Sequence, residues 1–247
     1  MSNNGVINTY ALQHNPIESA NIGVLGSVAA VLQSEGSYLG TVLRDGFEVG
    51  TFRINVVKDH PNTQADVDMA VMAKDAVVEK KEPCGSDEAA AQAAASHELV
   101  FTVAQGGYML LFASQGPGRF QAMVDFVPVD GGERVEFFNS DELRPGNIFI
   151  ATLMRPGQYQ LMEHVQGRQG TVNVANPPAA GGDYVAPEPV EVQVNGGGEL
   201  GSFNLLPTQS MVFYIMQSRA SLSIELLNGA PSTVGSFRWT NPVEGLD

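Results

Sequence analysis

The 247-residue sequence predicts an all-β fold, and three observations support this class. Seven short apolar segments lie between residues 98 and 174, and turn signals separate them about every ten residues. No helical crossover lies between these segments, which favours a sandwich or barrel over a parallel sheet. The 27 glycines and 14 prolines, with a charged fraction of only 16%, are typical of many turns that connect short strands.

Composition also excludes several classes of partner. Thirteen basic and 27 acidic residues give a formal net charge of −14, which repels nucleic-acid phosphates and anionic headgroups. No window approaches the ~18 apolar residues of a membrane span, and the first residues lack a basic segment followed by an apolar run. We therefore expect no nucleic acid partner, no membrane insertion, and a location in the cytoplasm or within an assembled particle.

Residues 1–36 are predicted to form an N-terminal arm. Their one concentrated apolar run is "IGVLGSVAAVL" at 22–32. This run is compatible with an arm that packs on a neighbouring subunit and with an ordinary first strand. Its period does not separate a buried strand from a short helix.

Residues 37–176 are predicted to form the central β-sandwich, which begins with a hairpin at 39–57. Asp45 and Gly46 form the turn, and apolar residues recur at near-alternate positions on both sides of it. The alternation breaks at Gly50, which indicates a bulge or a second turn.

An acidic insertion at 59–98 interrupts the sandwich, with nine carboxylates against three lysines. The segment 67–81 is compatible with a strand or a short helix. The run "DEAAAQAAASHE" has high helix propensity, and Ser86 with the acidic residues after it is a suitable helix start. A helix or an extended loop both remain open for this run.

The strands after the insertion are predicted directly from apolar runs between turns. In order, they are "ELVFTVA", "YMLLFAS", "RFQAMVDFVPV", "ERVEFFN", "NIFIATL", "GQYQLME" and "GTVNV".

A proline-rich linker is predicted at 177–189, because proline lacks the N–H donor that a strand ladder needs. Residues 190–247 then form a smaller C-terminal β unit with strands "VEVQV", "GSFNLL", "SMVFYIM" and "SLSIELL". The similar segments "EVGTFRI" at 48–54, "ELGSFNL" at 199–205 and "TVGSFRW" at 233–239 are compatible with duplicated β units. They are equally compatible with the common placement of glycine before a strand aromatic.

Residues 135–174 resemble the second half of a cupredoxin. The strand "VEFFNSDE" and the segment "NIFI" are followed by "RPGQYQLMEHVQGRQGTVNV", which contains a Pro-Gly-x-Tyr strand. A similar order of strand, turn and aromatic strand occurs in immunoglobulin-like sandwiches. The resemblance implies a cupredoxin-like or immunoglobulin-like sandwich for the central region.

The copper ligands that the resemblance implies are incomplete in this sequence. A blue-copper centre needs two imidazoles and a thiolate with a weak axial thioether. Gly146 stands where the first histidine belongs, and Glu163 takes the thiolate position. Met162 and His164 lie nearby, whereas the single cysteine, Cys84, is in the acidic insertion. We therefore expect no metal and no cofactor, and we expect His164 to be a surface or turn residue.

No nucleophilic constellation is evident either. The four histidines, at positions 14, 60, 97 and 164, lie outside any Gly-x-Ser-x-Gly context. Cys84 lies between two lysines and two carboxylates, which have opposite effects on its pKa, and it cannot form an internal disulfide. We expect an exposed, inert thiol.

Carboxylate pairs are the remaining candidates for chemistry. Asp66 and Asp68 have a spacing that can hold calcium, but the glycine and the distant glutamate of an EF-hand loop are missing. A glycoside-hydrolase pair has no aromatic cleft beside it, although four carboxylates are available: Asp125, Glu136, Asp141 and Glu142. "GGGELG" at 196–201 lacks the lysine and helix of a phosphate loop. The aromatic residues are assigned to the sandwich core: Phe137, Phe138, Phe149 and Tyr159.

We expect no catalytic, cofactor-binding or metal-binding residues, and hence a non-catalytic structural or assembly subunit. Exposed sheet edges tend to pair with other chains, which makes self-association or association with another subunit in a particle, shell or filament physically reasonable. The alternatives are a protein- or carbohydrate-binding sandwich module and a metal or redox carrier of the cupredoxin type.

Overall fold

The computed structural model describes residues 16–73, 98–176 and 187–229, and it confirms the all-β class. Sixteen strands lie in three sheets over these residues. Every apolar run that was predicted as a strand between residues 98 and 229 forms one.

A central sheet of six strands connects the molecule. Its order is β13-β15-β10-β2-β7-β5, and the pairs at its two ends, β13 with β15 and β5 with β7, are parallel. The strands of this central sheet are β2 (Gly26–Val31), β5 (Gln64–Asp68), β7 (Tyr108–Phe112), β10 (Asn147–Thr152), β13 (Val190–Val194) and β15 (Ser210–Ile215).

A first outer sheet has the order β6-β4-β3-β8-β9. Its strands are β3 (Gly36–Arg44), β4 (Phe47–Val57), β6 (Leu99–Ala104), β8 (Phe120–Pro128) and β9 (Val135–Asn139). A second outer sheet has the order β1-β16-β11-β12-β14. Its strands are β1 (Ile17–Glu18), β11 (Gly157–Glu163), β12 (Arg168–Val174), β14 (Gly201–Leu205) and β16 (Leu222–Gly229).

One continuous hydrophobic core joins the three sheets. Side chains alternate along each strand, so one face supplies buried residues such as Phe52, Ile54 and Val56 while the other faces outward. The aromatic residues that were assigned to the core lie there: Phe138, Phe149 and Tyr159 are buried, and Phe137 packs edge-on against Tyr38.

The strand order shows that the chain consists of two topologically equivalent halves, β1–β8 and β9–β16. Each half contains an antiparallel hairpin (β3–β4 and β11–β12) whose second strand pairs in parallel with a later strand (β6 and β14). Each half also places its second strand antiparallel to its seventh (β2–β7 and β10–β15) and its third antiparallel to its eighth (β3–β8 and β11–β16).

The first strands of the two halves are exchanged. β1, from the first half, pairs with β16 of the second half, while β9, from the second half, pairs with β8 of the first. The two halves meet directly where β2 and β10 pair in the middle of the central sheet. Three ladders therefore hold them together.

This arrangement bears on the predicted segments. Within the predicted arm 1–36, residues 26–31 form a strand in the middle of the central sheet rather than an extension, because the run is apolar on the core-facing side. The strands predicted as a separate C-terminal unit, β13–β16, hydrogen-bond with β10, β11 and β12. The C-terminal strands therefore share sheets with strands that precede the predicted linker.

The predicted hairpin is confirmed in detail. Asp45 and Gly46 have φ of 54° and 80°, as a two-residue turn of this hand requires. The register shifts just after Val42 pairs with Gly50, which is the break that the alternation indicated.

In the insertion, residues 64–68 are a strand and 69–73 are helical, so the described part of 67–81 combines both alternatives. Residues 74–97, with the Ala-rich run, lie outside the described residues, as does the similar segment 233–239.

Candidate functional site

The positions that the cupredoxin resemblance implicates have structural roles. Gly146 has φ of 90° in the turn before β10, a conformation that favours glycine. Glu163 is completely buried at the end of β11, and its two carboxylate oxygens accept the N–H groups of Val165 and Gln166 at 2.9 and 3.0 Å. Glu163 thereby anchors the β11–β12 loop.

Arg168 extends this anchor to two neighbouring loops. Its guanidinium lies 3.5 Å from the Glu163 carboxylate, donates to the carbonyl of Asn195, and donates to Gln217 at 2.5 Å. The loops after β11, β13 and β15 are therefore held by one buried ion pair. The site is a structural clamp, because Glu163 binds two backbone N–H groups and Arg168 binds a loop carbonyl and the Gln217 side chain.

His164 is exposed, and its Nε2 lies 2.7 Å from the hydroxyl of Ser223. Cys84 lies outside the described residues. Among the described residues, no group of three or more His, Cys, Asp or Glu side chains is placed to hold a metal ion. Within the same ranges, no helix is long and apolar enough to cross a membrane.

The carboxylates considered for glycoside hydrolysis are tied to cationic or amide groups. Asp125 accepts from Arg134 at 2.7 Å, Glu136 accepts from Arg144, and Glu142 lies 2.8 Å from Arg219. Asp141 accepts from Gln121 at 3.1 Å, and partial burial raises the pKa of its carboxyl. Each of the four carboxylates therefore has a local partner on the surface.

Asp66 and Asp68 also have local partners. Asp68 accepts the backbone N–H of Ala70 at 3.1 Å, which caps the helical turn at 69–73, and also that of Ser114 at 3.2 Å. Asp66 accepts from the side chain of Gln64. The two-residue spacing of Asp66 and Asp68, which suggested a calcium site, places both side chains on the same face of the edge strand β5.

A small cleft of about 40 Å³ lies between residues 16–26 and 116–119. It has room for a few waters rather than for an organic ligand. The surface of the described residues offers a larger candidate.

The outward face of the central sheet is the most distinctive surface, and we call it the open face. Two rows of side chains cross all six strands, because neighbouring residues in the ladders lie side by side. One row runs Glu191, Val212, Ile150, Ser27, Phe112 and Asp68, and the other runs Gln193, Tyr214, Ile148, Ala29, Leu110 and Asp66.

The middle of the open face is apolar, although it lies opposite the core. Six large side chains there are partly exposed and do not belong to the core cluster: Leu110, Phe112, Ile148, Ile150, Val212 and Tyr214. The six apolar side chains lie on the inner strands β15, β10 and β7, with Ser27 and Ala29 of β2 among them, so three inter-strand spacings of about 4.8 Å and two rows give a patch of roughly 200 Å². An apolar patch on the surface of a protein is often functional, which makes this face a candidate.

Carboxylates stand at both ends of the open face. Asp66 and Asp68 lie on the edge strand β5, and Glu191 lies on the edge strand β13. The Tyr214 hydroxyl donates to Glu191 at 3.3 Å, and the charge of Glu191 raises the pKa of that hydroxyl. Charged residues on edge strands discourage another chain from lengthening the central sheet.

Sequence reasoning did not identify the open face. A signal existed in "YMLLF", "NIFIAT" and "SMVFYI", which are near-continuous apolar runs. Such runs are typical of strands that are covered on both faces. In the described part of the chain, the large outward side chains of these runs lie outside the core cluster and are partly exposed.

The fold and this surface define an all-β protein of packed sheets with an open apolar sheet face. Comparison with models of known protein families, with curated proteins and with solved structures gave no significant match.

Proposed function

We propose that the protein is a non-catalytic structural subunit that assembles through the open face. The single observation that carries this proposal is the row of partly exposed Leu, Ile, Val, Phe and Tyr side chains on a sheet whose other face is the core. Burial of apolar surface provides about 25 cal/mol per Å², so a contact that removes the open face and its partner surface from water is favourable.

The partner proposed for the open face is a second copy of the chain, packed sheet against sheet. Two sheets pack with their faces about 10 Å apart and interdigitate their side chains. The two halves are equivalent in topology. The two rows of the open face therefore correspond position by position when one row is read in the reverse direction. A surface with this symmetry is suited to an isologous contact.

Two lysine substitutions test this proposal: Leu110→Lys and Val212→Lys. The new ammonium group lies beside Asp66 in the Leu110→Lys variant and beside Glu191 in the Val212→Lys variant. Because each new charge has an opposite charge on the neighbouring strand, we expect both variants to fold. Each substitution also lowers the negative charge of the molecule, so weaker association cannot arise from greater overall repulsion. We expect the dissociation constant of self-association to rise at least about tenfold, which corresponds to about 1.4 kcal/mol.

The matched control is Thr171→Lys, which makes the same charge change on the exposed outward face of the second outer sheet. Light scattering coupled to size-exclusion chromatography over a range of concentrations gives the measurement. Unchanged association of both open-face variants contradicts the proposal, and so does a wild-type protein that stays monomeric at high concentration.

A second candidate function, binding of an uncharged polar partner such as a carbohydrate, is favoured by the outward face of the second outer sheet. Amide and hydroxyl groups cover this face in hydrogen-bonded pairs, Gln160 with Gln169, Thr171 with Ser202 and Asn173 with Asn204. Glycan-array binding that is lost in Asn173→Asp, while the open-face variants retain it, supports this function over the first.

The likeness of residues 135–174 to cupredoxins belongs to the proposal as a relation of fold only. The use of Glu163 in the loop clamp and of Gly146 in a turn argues against the redox-carrier alternative. A location in the cytoplasm or within an assembled particle accompanies the assembly function.

A further inference from the structure

We propose that the interface between the two halves is itself an association surface for a second copy of this chain, so that two copies can exchange halves through the loop at 129–134. This inference is independent of the open face, since it concerns the ladders inside the molecule. Three ladders form the interface: β2 with β10, β1 with β16, and β8 with β9.

Two serines make matched contacts across the interface. Ser140 of the second half exchanges two hydrogen bonds with Ala122 of the first, both 3.0 Å long. Ser19 of the first half makes the same two bonds to Leu222 of the second, at 3.0 and 2.9 Å. Both serines are completely buried. Equivalent residues thus make equivalent bonds in opposite directions, as in a symmetric dimer.

The bridges that follow these serines are matched as well. Ile22 exchanges two backbone hydrogen bonds with Phe120 before β2, and Leu143 exchanges two with Ala220 before β10. In each half, therefore, the first strand pairs with a strand of the other half, and the segment after it bridges to the last strand of its own half.

A pseudo-two-fold axis passes through the middle of the central sheet. In the β2–β10 ladder, Val28 pairs with Phe149, and Ala30 and Gly26 pair with Asn147 and Ala151. Val28 and Phe149 are the third residues of their strands, so each faces its own equivalent across the axis. This is the register of two copies of one strand related by a two-fold axis.

The loop at 129–134 is the covalent link between the halves, and it has the properties of a hinge. All six residues are exposed, and the hydrogen bonds of Gly131 and Gly132 are local, to Pro128 at 3.1 Å and to Asp130 at 3.3 Å. If this loop extends, β9 of one copy can pair with β8 of another, and every ladder reforms with the same residues. Such an exchange needs no new contact.

The experiment deletes residues 129–134 in the full chain. Only Val127 and Pro128 then remain between the paired residues Phe126 and Val135. A two-residue hairpin needs positive φ at its first central residue, which a β-branched valine disfavours, and proline excludes φ above zero at the second. A hairpin that keeps the Phe126–Val135 pair is therefore strongly disfavoured, so we expect β8 to continue straight into β9 and the intact interface to form with a second copy.

We expect the deletion variant to be a folded dimer of about twice the chain mass, with unchanged far-ultraviolet circular dichroism. Combining the deletion with Val212→Lys removes any contribution of the open face, so the two proposals fail separately. Inserting three glycines after Gly132 is the matched control, and it should leave the oligomeric state of the Val212→Lys protein unchanged.

Deleting Asp45 and Gly46 opens a hairpin within one half instead of between halves, and this variant should not yield the same well-folded dimer. A 129–134 deletion variant that is unfolded, aggregated or a folded monomer overturns the proposal. Equal dimer formation by the Asp45–Gly46 deletion overturns it too, because exchange would then not be specific to the interface between halves.

Discussion

Ser19 and Ser140 are small residues with a large structural role, because each satisfies the backbone of a strand in the other half. Alanine at either position leaves a buried N–H group without its acceptor, which costs about 1–3 kcal/mol. We expect Ser19→Ala and Ser140→Ala to lower the free energy of unfolding by similar amounts in urea denaturation. The exposed Ser202→Ala is the control and should change it by less than about 0.5 kcal/mol. Strongly unequal losses contradict the equivalence of the two sites.

Tyr38 and Tyr159 form a second matched pair of residues. Each hydroxyl donates to the carbonyl four residues earlier, Ser34 at 3.1 Å and Arg155 at 2.7 Å, and burial raises the pKa of both hydroxyls. The folded state therefore retains these protons after the unfolded state has lost them. The contribution of these two tyrosines to the free energy of unfolding should be fully present below the ordinary tyrosine pKa of 10.0 and should be lost as the pH rises from there through the folded-state pKa.

The measurement is urea denaturation between pH 8 and pH 11, a range chosen to span the ordinary tyrosine pKa of about 10. Tyr38→Phe and Tyr159→Phe should each reduce the loss of stability at the alkaline end, since phenylalanine does not titrate. An identical alkaline loss in both variants and in the wild type shows that other groups cause it.

At the scale of elements, the equivalent hairpins end differently. The β3–β4 hairpin closes on Asp45-Gly46 with Val42 buried, whereas the β11–β12 hairpin places Glu163 in the core and closes on a longer loop. Glu163→Gln removes the charge that faces Arg168 and should lower stability by about 3–5 kcal/mol, the effect of breaking a buried pair. Glu136→Gln, in an exposed pair with Arg144, should cost at most about 1 kcal/mol in the same denaturation assay. Equal effects contradict the clamp.

Element starts show why glycine recurs at equivalent positions. Gly36 and Gly157 open β3 and β11 with φ of 150° and 149°, which side chains other than hydrogen rarely adopt. A Cβ on Gly36 would also lie 2.5 Å from the carbonyl oxygen of Val127. In each half, a tyrosine that bonds to the carbonyl four residues earlier follows this glycine by two residues.

At the scale of the whole molecule, the residues at the pseudo-two-fold axis have diverged in size. Val28 and Phe149 are both completely buried and face each other across the halves. Val28→Phe alone overpacks the core, by about 1–3 kcal/mol, and Phe149→Val alone leaves a cavity. The double variant conserves the total volume at equivalent positions, so we expect it to recover most of the lost melting temperature.

The comparison for this exchange is Ala151→Met with Met211→Ala, a paired but non-equivalent couple in the same sheet. Recovery should be smaller there, because the two positions have different surroundings. Calorimetric melting of the six variants checks the prediction. Absence of recovery in the Val28 and Phe149 double variant contradicts a symmetric axis.

Local sequence patterns predicted the all-β class, the β3–β4 hairpin with its turn, and the strands that follow residue 98. Alternation with period two and the Gly, Pro and Asp-Gly signals are local properties of the chain, and they located the β3–β4 turn and the bulge beside Gly50, whereas the runs that hold β2 and β5 stayed compatible with a strand or a helix. The repeated Leu-x-x-x-Gly-x-Tyr pattern, at 32–38 and 153–159, was also readable and marks the two halves.

Only the tertiary structure decided which strands pair. Ser19 bonds to Leu222 from 203 residues away, and β9 joins the half that precedes it. Alternation specifies which side of a strand is apolar but not its partner, because many strands of similar length can complete the same ladder. The open face could not be predicted for the same reason. A near-continuous apolar run predicts a strand that is covered on both faces, and only the packing of the sheets shows which face of the central sheet lies against the core.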